Sequence, residues 1–207
     1  YVGDIIEGDY SIKFISMPIL QFEVKTLKET KMPLAIDFGT SNTTAGIYID
    51  KEVFSGLNEN LNGNEEYIDY EDDKVKFVKI MNESKGKIEI TPLIPSVVGV
   101  KHIEEDRIEY VFGYDAMLES RKRYVDDGMS LFYDIKRWIS NFEKEEKVMD
   151  VMEKTAFIKR KDIIKAYLEY IISLAQQRFK CKFKNIYISC PSKQKYKFHS
   201  LFKDILS

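Results

Sequence analysis

The pattern that most limits what this chain can fold into lies towards its C-terminal end. Over residues 161–179 the apolar side chains Ile164, Tyr167, Leu168, Ile171, Leu174, Ala175 and Phe179 recur at the 3.6 period of an amphipathic helix. Directly afterwards residues 184–190 read as a strand, which Pro191 ends. Far upstream, residues 34–38 form a short apolar strand, Gly39-Thr40-Ser41-Asn42 is a polar turn, and Ala45, Ile47 and Ile49 resume alternation over residues 43–50. Strand, polar turn and strand make a hairpin. A hairpin first, a long helix next and a strand returning after it predict one mixed sheet flanked by helices. The fold class is therefore α/β.

The remaining elements are shorter. Leu20, Phe22 and Val24 alternate with Gln21, Glu23 and Lys25, a strand pattern, and residues 51–54 read as a third strand after the first hairpin. Residues 55–73 hold Glu59, Glu65, Glu66, Asp69, Glu71, Asp72 and Asp73 with no basic residue. Their spacing matches no calcium loop, so this is a solvated surface loop. Residues 75–80 and 87–90 predict a hairpin around Ser84-Lys85-Gly86, and residues 97–100 and 108–112 two further strands. A short helix is expected over residues 115–123. Ser130 caps a helix with Phe132, Ile135, Trp138 and Ile139 on one face, and residues 141–150 are highly charged. Ser192 is placed to cap a last amphipathic helix carrying Phe198, Leu201, Phe202 and Ile205.

Composition narrows the function classes. Hydrophobic residues make up 44% of the 207, enough for a sizeable core, and 32 Lys+Arg face 34 Asp+Glu. That near-neutral balance argues against a dedicated nucleic-acid binder. No apolar run approaches the roughly 18 residues of a membrane span, and no basic-then-apolar leader opens the chain. Cys181 and Cys190 cannot make a disulfide framework, and the strand between them holds them apart. A soluble cytoplasmic protein with two reduced thiols is expected. Lys outnumbers Arg 26 to 6, which reads as AT-rich coding and a low-GC bacterium. Charge is unevenly placed: residues 154–207 carry 13 basic and 3 acidic side chains, and residues 1–153 carry 19 and 31. The basic part is either an anion-binding half or a piece that faces an acidic one. The chain opens on Tyr1 rather than Met, so a fragment of a longer protein is expected.

The first hairpin turn carries the chemistry. Asp37 closes a strand, and Gly39 lets backbone approach a ligand. Backbone N–H groups of such a turn, with the Thr40 and Ser41 hydroxyls, can cradle phosphate oxygens. Asp37 could hold a hydrated Mg²⁺, because magnesium keeps several waters and uses few carboxylates. Ordinary turn chemistry explains the same residues equally well. Other sites fall away. His102 and His199 are too distant in sequence for a zinc motif, and Cys190 has no nearby His. Lys193, Lys195 and Lys197, interleaved with Tyr196 and Phe198, are taken as an amphipathic helix rather than a base-stacking surface.

Five segments, in order, resemble the Hsp70 branch of the actin, Hsp70 and sugar-kinase superfamily. Leu34-Ala-Ile-Asp-Phe-Gly-Thr-Ser-Asn-Thr-Thr44 resembles the first phosphate motif, and Ile94-Pro-Ser-Val-Val98 the Pro-Ser-Val segment. Val111-Phe-Gly-Tyr-Asp-Ala116 is similar to the Gly-Asp-Ala element. Leu131-Phe-Tyr-Asp-Ile-Lys-Arg-Trp-Ile139 is similar to Phe-Asp-X-Lys-Arg-Leu-Ile, and Ile186-Tyr-Ile-Ser-Cys-Pro-Ser192 to the strand and proline before a family helix. The resemblance spans residues 33–207. It implies lobe I of an actin-like, ribonuclease H-like ATPase: a mixed sheet flanked by helices with an inserted smaller α+β subdomain. The core would be about 33–58 and 155–207, the insertion about 59–154, and residues 1–32 an extension with an edge strand or the end of a preceding domain.

By the same resemblance the ligands are ATP or ADP with Mg²⁺. Gly39, Thr40, Ser41 and Asn42 would bind phosphate, and Asp37 the metal through water, as a catalytic residue beside Lys136. Lys136 would stabilise the γ-phosphate and attacking water, and Pro191 would relay nucleotide occupancy. The implied activity is a chaperone ATPase that acts once joined to a second lobe, since the second phosphate motif follows this point in the family. A substrate-binding domain and unfolded polypeptide clients are possible partners, with no nucleic acid and no membrane. The alternative is an actin-like filament or nucleotide-binding scaffold with little turnover. The chain departs from the family at Ser192-Lys-Gln-Lys-Tyr196, at Asn42 where an aromatic is common, and in its long Asp37–Pro95 interval.

Overall fold

In the computed structural model, which describes residues 26–49, 75–84, 87–105, 107–121 and 128–205, the first strand alternates as its sequence dictates. Leu34, Ile36 and Phe38 point inward and are buried, while Ala35 and Asp37 are exposed. Up to the first helix the strands run β1 Glu29–Thr30, β2 Leu34–Asp37, β3 Asn42–Tyr48, β4 Val75–Phe77, β5 Ile80–Ser84, β6 Lys87–Thr91, β7 Ile94–Pro95, β8 Val98–Ile103 and β9 Ile108–Phe112. Helix α1 is Gly113–Arg121, followed by β10 Leu131–Phe132 and a 3₁₀ helix Ile135–Ser140. Then come β11 Glu145–Met149, β12 Thr155–Lys159, α2 Arg160–Phe179, β13 Lys182–Phe183 and β14 Ile186–Ile188. A 3₁₀ turn Ser192–Gln194 leads into α3 Lys195–Ile205.

The central sheet has the order β14-β2-β3-β4, with β7 also paired to β3. β2 and β3 are the predicted hairpin, and β14 lies parallel to β2 with Ile186 opposite Leu34 and Ile188 opposite Ile36. A parallel neighbour needs a crossover, and α2 lies within the connection. Its Ile163, Ile164, Tyr167, Leu168, Ile171 and Ala175 are fully buried. The Phe38 and Tyr167 rings sit 6.0 Å apart, joining sheet to helix. Each such large side chain contributes about 1.5–3 kcal/mol by leaving water. The opposite sheet face leaves Tyr48, Val75, Phe77 and Tyr187 exposed.

Residues from the expected core and the expected insertion share one apolar cluster. Ile94, Val98, Val100, Ile135, Ile139 and Val148 are buried together with Leu34, Ile36, Ile47 and the α2 face. β3 is the hinge of this sharing, because it pairs with β2 on one side and with β4 and β7 on the other.

Four local expectations need correction or extension. The hairpin around residues 84–87 forms, but its first strand is β5; residues 75–77 instead pair with β3, because Gly46 lets Phe77 lie close against it. Ser130 caps no helix. Its hydroxyl accepts the Met149 N–H at 2.8 Å, and Leu131 and Phe132 form a strand on β8. The helical turn begins only at Ile135, with Ile135 and Ile139 buried and Trp138 edge-on to Phe132. Ser192 is the first residue of the 3₁₀ turn rather than a cap, with Pro191 in the capping position and no side-chain bond there. The charged stretch after residue 141 hides a hairpin, β11 with β12, whose inward residues are Val148 and Ile158. The expected strands at 20–25 and 51–54 and the acidic loop at 55–73 lie outside the described residues.

The turn between β11 and β12 is held by Asp150, 1% exposed. Its Oδ1 accepts the N–H groups of Met152 at 2.8 Å and Lys154 at 2.9 Å, and its Oδ2 accepts that of Ile103 at 2.8 Å. Burial alone would raise this carboxyl's pKa, but the three backbone donors together outweigh it and hold the group below its usual range. Cys181 is buried and Cys190 exposed, and both are free thiols.

Candidate functional site

The β2–β3 turn is a closed piece of backbone. A Cβ on Gly39 would lie 1.9 Å from the Asn42 carbonyl oxygen, so no other residue fits there without opening the turn. A second segment clips it from below. Ser96, 1% exposed, donates its hydroxyl to the Gly39 carbonyl at 2.9 Å and lies 3.0 Å from the hydroxyl of Thr43, which is 0% exposed. The Ser96 N–H reaches the Ser41 carbonyl at 2.9 Å, and Asn42 and Thr43 pair with Pro95 and Ile94. Helix α2 then locks the clip, as the Tyr167 hydroxyl donates to the Pro95 carbonyl at 3.2 Å and the Ile94 carbonyl at 3.4 Å. Burial pushes this phenol up to about 12, so it remains a donor across the neutral range.

Loss of the clip should be measurable. Ser96→Ala leaves the Gly39 carbonyl and the Thr43 hydroxyl without this partner in a buried place. The expected cost is about 1–2 kcal/mol, read by urea unfolding with an unchanged m-value.

Above the clip the turn opens into a cleft of about 260 Å³. Thr40, Ser41 and Asn42 form one wall, Pro95, Ser96 and Val97 the floor, and Tyr114, Met117, Tyr133 and Asp134 the rest. Asp134 has φ 55°, the left-handed region that Asp tolerates better than most residues. Arg137 lies 3.6 Å from its carboxylate.

The structure brings some expected site residues together and sets others apart. Gly39 closes the turn, and Thr40, Ser41 and Asn42 line the cleft. Asp37 is exposed at the carboxyl end of β2 and accepts a hydrogen bond from the Ser189 hydroxyl just beyond β14. Lys136 does not line the cleft. Its ammonium stands over the Phe198 ring of α3, 6.0 Å from the centroid. Pro191 is exposed at the entry to the 3₁₀ turn before α3. Tyr114, Met117, Tyr133, Asp134 and Ser189 were not singled out from sequence. Four of them sit inside quoted segments, but no residue type marks them as facing a cleft.

Among the described residues no three His, Cys, Asp or Glu side chains converge into a metal cage. Asp37 stands as a single exposed carboxylate at the end of β2, outside the cleft lining. The one charged side chain lining the cleft among the described residues is Asp134. A bare polyphosphate would meet repulsion there, whereas one carrying Mg²⁺ would meet hydroxyls, turn backbone and a partly neutralised carboxylate. The donor set thus fits a metal-bound phosphate better than a free anion. No protein-family model matches the chain, and no curated protein matches it. Among the described residues no helix is long and apolar enough to cross a membrane.

Proposed function

We propose that this chain is a nucleotide-binding lobe of an Hsp70-like ATPase, holding the phosphates of Mg-ATP or Mg-ADP at the β2–β3 turn and closing on them with a second lobe. One observation carries this. Four of the segments that resemble the family separately meet around one cleft and supply all of its lining except Met117. The fifth brings Ser189 against Asp37, which ends β2 outside that lining. In this reading Thr40, Ser41 and Asn42 bind phosphate oxygens, and Asp37 orients the water shell of Mg²⁺. The metal, when bound, supplies charge neutralisation at the phosphates. Ser41 and Asn42 are exposed, so a nucleotide here is covered from one side only and needs a second body to exclude water. A cytoplasmic location and unfolded polypeptide clients belong to the same proposal.

Lys136 gives a specific reason to keep the second reading, a nucleotide-binding scaffold with little turnover. Its ammonium is engaged by Phe198 rather than directed at the cleft. In the ATPase reading, domain closure moves it to the phosphoryl group.

Amide NMR of the labelled chain tests the binding claim. Millimolar Mg-ATP is expected to shift Thr40, Ser41, Asn42 and Val97, with affinity at least about tenfold weaker in EDTA or in Asp37→Asn. Absence of shifts at those amides would sink the proposal. Single-turnover hydrolysis in the two-lobed protein separates the two readings. Lys136→Ala lowers the rate about 10²-fold in the first and leaves it unchanged in the second.

A further inference from the structure

The β5–β6 arm pairs with no other described strand. Its register sets Met81 opposite Ile90 and Glu83 opposite Ile88, so these four share one face of the hairpin. Three of them are large, apolar and left in water: Met81 is 73% exposed, Ile88 70% and Ile90 66%. An isolated two-stranded hairpin is marginal on its own, and an apolar face left uncovered on one marks a contact surface. This face does not stand alone. Together with α1 it encloses a groove of about 370 Å³, lined on the helix side by Tyr114, Met117 and half-exposed Leu118.

The groove has a sign as well as a shape. Its charged lining residues are Glu83 and Asp115, both exposed, and no basic side chain lines it among the described residues. Its volume admits a few apolar side chains rather than a whole element, so the occupant lies over the groove and inserts anchors. Met81 and Met117 are unbranched and can repack around anchors of different shape. We propose that the β5–β6/α1 groove docks an amphipathic helical segment of another polypeptide, with apolar anchors flanked by Lys or Arg. The acids at the rim select the cations, and the methionines tolerate variation in the anchors.

A second copy of this chain is a poor occupant. Its corresponding face would bring Glu83 and Asp115 against their own kind. Its Lys-rich helix α3 already buries Phe198, Leu201 and Ile205 in its own core. The groove shares Tyr114 and Met117 with the cleft at the β2–β3 turn, but its test reads Met81, Glu83, Asp115 and Leu118, which line the groove alone.

A short fluorescein-labelled Leu/Lys peptide with helical apolar period is the probe, followed by anisotropy at physiological salt. Micromolar binding is expected, with a Leu/Glu counterpart and a scrambled Leu/Lys peptide each at least about tenfold weaker. Met81→Ser and Leu118→Ser replace exposed side chains, leave the fold intact by circular dichroism, and each weaken binding about tenfold. Reversing both acids, Glu83→Lys with Asp115→Lys, inverts the preference towards the Leu/Glu peptide. The proposal is overturned if no peptide binds. It fails equally if the variants bind as the unmodified chain does, since attraction would then be to general acidity. It fails too if light scattering shows a dimer that Met81→Ser dissolves, since the occupant would then be a second copy.

Discussion

Gly39→Ala is expected to destabilise the fold by about 3 kcal/mol or more and to remove the proposed phosphate binding with it. The new Cβ would meet the Asn42 carbonyl oxygen at 1.9 Å, and its obstacle is backbone rather than a movable side chain. Relief requires the turn to open. An opened turn draws Asn42 from Pro95 and carries the Gly39 carbonyl away from the Ser96 hydroxyl, so two buried hydroxyls lose their geometry together. For a chain of this size the loss corresponds to a melting-temperature drop of about 6–12 °C. Gly128→Ala is the matched control, since a Cβ there meets nothing within 4 Å and should change little. Calorimetry on both variants decides. A Gly39→Ala protein that melts with the unmodified chain would mean that the turn accommodates the methyl and is not a fixed cradle.

Those same residues show what a sequence can and cannot disclose. The strand and turn from Leu34 to Thr43 were legible because alternation, a glycine and a run of hydroxyls are local patterns. α2 was legible for the same reason: six of the seven apolar positions on its helical period are buried, Leu174 being only half-buried, and Ile163, which the period left out, joins them. Ser96 was not legible as the clip beneath the turn. Its partners, Gly39 and Thr43, are more than fifty residues away, and nothing local distinguishes a buried hydroxyl from a solvated one. Nor does a local pattern place the Lys136 ammonium: α3, about sixty residues further on, packs against that 3₁₀ helix and brings the Phe198 ring centroid to 6.0 Å from it. The β11–β12 hairpin was missed because a short strand that buries little beyond Val148 carries too few apolar residues for a period to show. Acids and bases that look like a solvated run from sequence are paired in space, with Lys161 bridging Glu143 and Asp204 and Arg160 joining Glu146 to the face of Trp138.

Asp150→Ala is expected to cost about 3 kcal/mol or more, because one carboxylate satisfies three backbone donors and its loss strands them all. The damage should be wider than one turn. The Met152 and Lys154 bonds close the connection between β11 and β12, while the Ile103 bond ties that connection to the end of β8. The pH dependence has a definite sign. The folded-state pKa lies below the ordinary carboxyl value. The stabilisation is therefore complete above the unfolded value of about 3.9 and is lost as pH falls through the lower folded value. The gap between the unmodified chain and Asp150→Ala should stay constant from neutral pH to about pH 5 and narrow below about pH 4. Asp150→Asn isolates the charge. It keeps one oxygen for Met152 and Lys154 but turns an amide NH₂ towards the Ile103 N–H, so it should fall between the two and lack the acid-sensitive narrowing. Urea unfolding at intervals between pH 7 and pH 3 measures all three. A gap that keeps its full size at pH 3 would show that Asp150 holds the turn by shape alone, with its charge contributing nothing.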